Sequence, residues 1–178
     1  LTDTSLTASV LNTLDGRTSG TINASSINTL SGTASDLNIS YTSAGISGLN
    51  NEAVTLTDTS LTVSVLNALD GNTSGTINAS SINTLTGTAA DLNTAYTSAG
   101  ISNLGNEAVT LSDTTLAVSG LNALDGRTSG AINAASINTL TGAAADLNTA
   151  YTSSGISNLG DEAITLRDTS LTASVLIT

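Results

Sequence analysis

The chain has 178 residues, 39% of them hydrophobic and only 10% charged, with a formal net charge of −11. It contains no Cys, His, Met, Trp, Phe, Pro or Lys, so the residue inventory excludes disulfides, thiolate and imidazole metal sites, Schiff-base lysines and histidine-dependent triads. Aromatics at 2% are too few for a conventional globular core, and a mean hydropathy of +0.21 is too high for a disordered chain.

Self-similarity decides the architecture. Leu1, Leu56, Leu111 and Leu166 open four copies of one unit, giving repeats 1–55, 56–110 and 111–165 and a partial repeat 166–178 within a single array 1–178. The first two copies differ at nine positions, among them Ala8 against Val63 and Arg17 against Asn72. Because the array breaks off inside a copy, its ends are expected to lie in flanking sequence.

The elements of the second copy, in chain order, begin with a threonine-alternating strand over Thr55–Thr59. The apolar spacing of Leu61, Val65 and Leu69 then predicts a short helical stretch, with Thr59 as N-cap and Gly71 as stop. A brief strand follows at Thr76–Ala79. The second half echoes the first: a strand over Thr84–Thr88, an Ala-rich helical turn AADLNTAY with Thr88 as N-cap and Gly100 as stop, and a strand at Ile101–Leu104. Such helices are too short to persist alone. The fold expected is mainly β: a right-handed parallel β-solenoid of about 27 residues per coil, with a short helical turn in each coil. Six such coils at the ~4.8 Å strand spacing would stack to roughly 30 Å.

Equivalent residues of successive repeats then form columns. Ile22, Ile77 and Ile132, with Ile27, Ile82 and Ile137 and with Leu37, Leu92 and Leu147, fill a narrow aliphatic interior. Asn38, Asn93 and Asn148, and likewise Asn12, Asn67 and Asn122, are placed at corners as structural amide ladders. Asp3, Asp58, Asp113 and Asp168 are expected on alternate coils, about 10 Å apart, where salt can screen them.

Only carboxylates remain for chemistry. Asp15, Asp70 and Asp125, Asp36, Asp91 and Asp146, and Glu52, Glu107 and Glu162 recur in every copy, whereas acid/base catalysis needs two carboxyls in different environments of one cleft. No enzyme is expected, and the copy-unique Asp161 and Arg167 have no evident partner. No cofactor is expected either; calcium is the one ion that suits the oxygen-rich Asp-Gly turns, although no known loop pattern for it is present. The acidic balance and three cations, Arg17, Arg127 and Arg167, disfavour nucleic acid. No apolar run reaches the ~18 residues of a membrane span, and neither a signal peptide nor a basic cluster heads the chain.

One surface pattern suggests binding: Thr55, Thr57 and Thr59, then Thr84, Thr86 and Thr88, then Thr110, Ser112 and Thr114 alternate with inward Leu56, Leu85 and Leu111. Such a hydroxyl ladder resembles the ice-binding faces of antifreeze solenoids, although Ala143 and Arg167 interrupt it and threonine also stabilises strands.

LTGTAADLNTAYTSAGISNLGNEAVTL (85–111) and LNALDGNTSGTINASSINTL (66–85) resemble repeats of giant cell-surface or secreted proteins of marine picocyanobacteria, some of them haemolysin-like. The likeness spans essentially the whole chain. It implies a very long extracellular protein tied to the cell envelope, concerned with motility, adhesion or defence against grazers, and it carries over no catalytic or binding residue. The leading expectation is a secreted or cell-surface structural segment, a rigid fibre shaft or spacer. Its main partner is itself, through stacked repeats or end-to-end assembly, with the cell envelope or glycans as further partners. The alternative is a multivalent module binding ice, glycan or a mineral surface through the threonine ladder.

Overall fold

A computed structural model of the protein describes residues 1–170. The end of the partial repeat, including Leu176-Ile177-Thr178, lies outside the described residues. The first repeat runs β1 (Ser5–Thr7), α1 (Ala8–Asp15), β2 (Ile22–Asn23), β3 (Thr29–Gly32), α2 (Ala34–Thr42), β4 (Ile46–Ser47) and β5 (Ala53–Leu56). The second runs β6 (Ser60–Thr62), α3 (Val63–Asn72), β7 (Ile77–Asn78), β8 (Thr84–Gly87), α4 (Ala89–Thr97), β9 (Ile101–Ser102) and β10 (Ala108–Leu111). The third runs β11 (Thr115–Ala117), α5 (Val118–Asp125), β12 (Ile132–Asn133), β13 (Thr139–Gly142), α6 (Ala144–Thr152), β14 (Ile156–Ser157) and β15 (Ala163–Leu166).

The class is therefore α/β, with parallel sheets alternating with helices. Helix accounts for 31% and strand for 26% of the described residues, which corrects the expectation of a mainly β chain: the segments read as single helical turns are helices of 8 to 10 residues. Packing makes them persist where propensity alone would not.

Residues 1–83 with 97–104 form one compact unit, and residues 84–96 with 105–170 form another. In the first, β1, β3, β5, β7 and β9 make a parallel sheet in that order, and β2 pairs with β4. Leu6 lies opposite Leu30, Leu30 opposite Val54, Val54 opposite Ile77, and Ile77 opposite Ile101. Hydrogen-bonded neighbours thus lie a little under half a repeat apart, and the crossover from β1 to β3 carries α1, as parallel pairing requires a long connection. The second unit repeats the scheme. Leu85, Val109, Ile132 and Ile156 align across β8, β10, β12 and β14, while Leu116, Leu140 and Ile164 align across β11, β13 and β15. Ile77 and Ile132 are fully buried and Ile22 nearly so, but their immediate sheet neighbours come from the half-repeat step and not from the full repeat.

Each helix buries a narrow stripe at every third position: Val63, Leu66 and Leu69 in α3, Ala34, Leu37 and Ser40 in α2. The expected stripe of Leu61, Val65 and Leu69 is corrected, because Ser60–Thr62 is extended and the helix starts only at Val63. For the same reason Thr59 is not the cap; Thr62 occupies that position and makes no side-chain cap bond. Gly71 lies within α3 and does not stop it.

Candidate functional site

Of the polar side-chain contacts that recur from repeat to repeat, four bear most on the geometry. The first is a helix cap supplied by two segments at once. An α-helix leaves its first N–H groups without partners. In α2 the Asp36 N–H donates to Thr33 Oγ1 at 3.1 Å, and the Ala34 N–H donates to Asp58 Oδ2 at 2.8 Å from the turn 24 residues on. Thr88 and Asp113 do the same for α4, at 3.1 and 2.7 Å, and Asp168 caps Ala144 of α6 at 2.8 Å. A carboxylate there also complements the positive end of the helix dipole. The turn aspartates Asp58, Asp113 and Asp168 are accordingly helix caps.

The second contact is an asparagine bridge between helices. Asn12 Nδ2 donates to the Asp36 carbonyl at 2.9 Å, Asn38 Nδ2 to the Val65 carbonyl at 3.2 Å, Asn93 Nδ2 to the Gly120 carbonyl at 3.1 Å, and Asn122 Nδ2 to the Asp146 carbonyl at 2.9 Å. These residues lie inside α1, α2, α4 and α5, and Asn148 inside α6, where the sequence reading places corners. The bridge is most complete in the first repeat, where Ser40 Oγ donates to Asn12 Oδ1 at 2.6 Å. Ala150 replaces that serine in the third, and the buried Asn122 Oδ1 has no hydrogen-bond partner.

Two repairs of the third repeat follow. Ala150→Ser is expected to restore the Asn122 bond, and Ala143→Thr to restore the cap that Thr33 gives α2 and that Ala143 cannot give α6. Each should raise stability by about 1 kcal/mol, read as a higher urea midpoint with an unchanged slope. A lower midpoint for both would contradict these roles.

The third contact joins Asp15 Oδ2 to Ser43 Oγ at 2.6 Å, with Asp70 and Ser98 at 2.7 Å and Asp125 and Ser153 at 2.8 Å. The same serine oxygens accept the N–H groups of Gly45, Gly100 and Gly155, each at 3.0 Å.

The fourth contact was not legible as such: the only aromatic and the only glutamate of each repeat bond to each other. Tyr41 Oη donates to Glu52 at 3.0 Å, Tyr96 Oη to Glu107 at 3.1 Å and Tyr151 Oη to Glu162 at 2.6 Å, always 11 residues apart. The carboxylates are buried and also accept backbone N–H groups, from Asn50 at 2.9 and 3.1 Å in the first repeat and from Gly105 at 3.2 and 2.9 Å in the second. Burial, with the glutamate charge adding to it, raises the Tyr41 and Tyr96 hydroxyls well above the usual range and Tyr151 to about 12. Burial pulls Glu162 upward as well, but bonds from Tyr151 and from the Gly160 and Asp161 N–H groups outweigh it and leave its carboxyl below the usual range.

The threonine ladder is divided between sheets. Thr55 lies between Ser31 and Asn78, whereas Thr86 faces Thr110 and Thr84 faces Ala108. Thr55, Thr57, Thr59, Thr84 and Thr86 are exposed, but Thr88 is half-buried, its hydroxyl engaged with Asp91. Among the described residues no group of three or more acidic side chains is placed to hold a metal ion, and no helix is long and apolar enough to cross a membrane. No protein-family model, curated protein or solved structure matches the chain.

Proposed function

We propose that the chain is a structural repeat segment, a right-handed parallel β-solenoid of about 27 residues per coil, that serves as a stiff shaft or spacer of a secreted or cell-surface fibre and has no catalytic role. One observation carries this reading: strand pairs, turn contacts, aspartate caps, asparagine bridges and serine–aspartate contacts all join segments 23 to 28 residues apart. Within each unit, adjoining segments are thereby tied by backbone and side chain together, and in a shaft such nearest-neighbour interactions add along one axis. The helix starts at Ala8, Ala34, Val63, Ala89, Val118 and Ala144 agree with a coil of that size. The threonine reading has less support, because the row containing Thr55 also contains Ser31 and Asn78.

Small-angle X-ray scattering on polypeptides carrying one, two and three tandem copies of this chain tests it. The maximum dimension is expected to rise linearly with copy number while the cross-sectional radius stays constant. A radius of gyration growing only as a globule's does would overturn it.

A further inference from the structure

Three aspartates of the chain precede glycine, in Asp15-Gly16, Asp70-Gly71 and Asp125-Gly126. Such a dipeptide is chemically reactive in water. The glycine nitrogen attacks the aspartate Cγ: a C–N bond forms, the C–O bond breaks, and the carboxyl hydroxyl leaves with the N–H proton as water. Water then reopens the five-membered imide at either carbonyl. Opening at the backbone carbonyl yields isoaspartate, in which the chain runs through the former side chain and is longer by one methylene. Glycine offers that nitrogen with least obstruction, because it has no Cβ.

In all three dipeptides the fold holds the reacting groups apart. Asp15 Oδ2 accepts the Ser43 hydroxyl at 2.6 Å, Asp70 Oδ2 the Ser98 hydroxyl at 2.7 Å and Asp125 Oδ2 the Ser153 hydroxyl at 2.8 Å, each from a turn 28 residues on. The other carboxylate oxygen lies against a glycine of the same turn, so close that a Cβ at Gly45, Gly100 or Gly155 would overlap it. The nitrogens are engaged elsewhere. Those of Gly16 and Gly126 donate to the Asn12 and Asn122 carbonyls at 3.0 and 3.1 Å, and Gly71 lies inside α3. Backbone geometry does not demand these glycines: Gly16 and Gly126 have right-handed helical φ, and a Cβ at Gly71 would meet nothing within 4 Å. We propose that Asp15, Asp70 and Asp125 are conformationally gated modification sites, each converting to isoaspartate when the adjoining segment releases its carboxylate and kept unmodified by the serine while it is held. Because isoaspartate displaces the carboxylate and lengthens the backbone beside the helix end, the serine contact does not re-form, and the modification is a lasting record of local opening.

The test is to hold the folded chain, the guanidinium-unfolded chain and a Ser98→Ala variant for weeks in warm neutral buffer. Electron-transfer fragmentation of proteolytic peptides then measures isoaspartate at each of the three positions. The folded chain is expected to react about tenfold more slowly than the unfolded one, and Ser98→Ala to raise the rate about tenfold at Asp70 alone. Asp15 and Asp125 serve as references in the same molecule, since a general loss of stability raises all three together. Ser43→Ala should act in the same way on Asp15 alone. Adding Gly71→Ala to Ser98→Ala should return Asp70 to the slow rate by obstructing the nitrogen. A folded chain that reacts as fast as the unfolded one, or serine variants with no increase at their own aspartate or with equal increases at all three, would overturn the proposal.

Discussion

Glu107→Leu is expected to destabilise the protein by about 3 kcal/mol or more, the largest effect of any single side-chain truncation here. The leucine leaves the Tyr96 hydroxyl and the Gly105 N–H without their acceptor in a buried setting, and each orphaned donor costs on the order of 1–3 kcal/mol. Glu107→Gln keeps an acceptor and should lose about half as much, and Tyr96→Phe, which leaves the carboxylate its bonds from the Gly105 N–H, less still. A double-mutant cycle with Tyr96→Phe should give a coupling of about 1 kcal/mol. Denaturant unfolding followed by far-UV circular dichroism measures all of these; a Glu107→Leu loss no larger than that of an exposed substitution would refute the role. The same pair sets an alkaline limit. The tyrosines hold their protons more tightly folded than unfolded, so their contribution is complete below pH 10.0 and falls as pH rises above it. Tyrosinate absorbance should therefore appear for Tyr151 near pH 12, and for Tyr41 and Tyr96 only with unfolding.

Gly75→Ala and Gly130→Ala should each cost about 3 kcal/mol, the upper end of the usual overpacking penalty, while Gly20→Ala changes stability little or raises it slightly. The difference lies in what stands opposite: a Cβ at Gly75 or Gly130 would overlap the Glu52 or Glu107 carbonyl, whereas one at Gly20 meets only Thr18 Oγ1 at 3.5 Å. The Asn50 carbonyl accepts the Ser74 N–H at 2.7 Å and the hydroxyls of Thr73 and Ser74 at 2.9 and 3.1 Å, drawing the turn before β5 onto Gly75. The Gly105 carbonyl holds Ser129 in the same way. Hydrogen exchange should show faster opening around residues 73–78 in Gly75→Ala and around residues 128–133 in Gly130→Ala. Equal behaviour of the three alanine variants would mean that the close approach is relieved at no cost.

The period, the parallel strands and the burial of Leu56, Leu85 and Leu111 were legible because identity from one copy to the next and alternation along a strand are direct sequence signals. Helix boundaries were less so. Ser60-Leu61-Thr62 carries threonine and serine that suit either a cap or a strand, and pairing across the sheet, which one segment cannot report, decides for the strand. Partners in adjoining segments were hidden for a related reason: only a fold, not a self-alignment, shows that Asp58 meets Ala34. The tyrosine–glutamate contact left one usable trace. A chain with three tyrosines as its only aromatics and three glutamates in all, held at one fixed separation, signals a contact even where it names no chemistry. Gly48 and its counterparts Asn103 and Asn158 left another, since all three adopt positive φ and these residue types best tolerate it.

The mismatch between a bonding step of less than half a unit and a repeat of the whole unit bears on how such a chain changes through generations. A residue's neighbours occupy different positions of the unit: Thr55 sits between Ser31 and Asn78, so duplicating one strand-to-strand segment alone would give every copied side chain strangers to face. Copying the full unit restores them all, as Tyr41 with Glu52, Tyr96 with Glu107 and Tyr151 with Glu162 attest. Unequal crossing-over between near-identical copies, wherever it falls, adds or removes whole units and asks for no contact that does not already exist. Array length is thus the trait that a lineage can alter most freely, and the pairing of adjoining strands the one it can alter least.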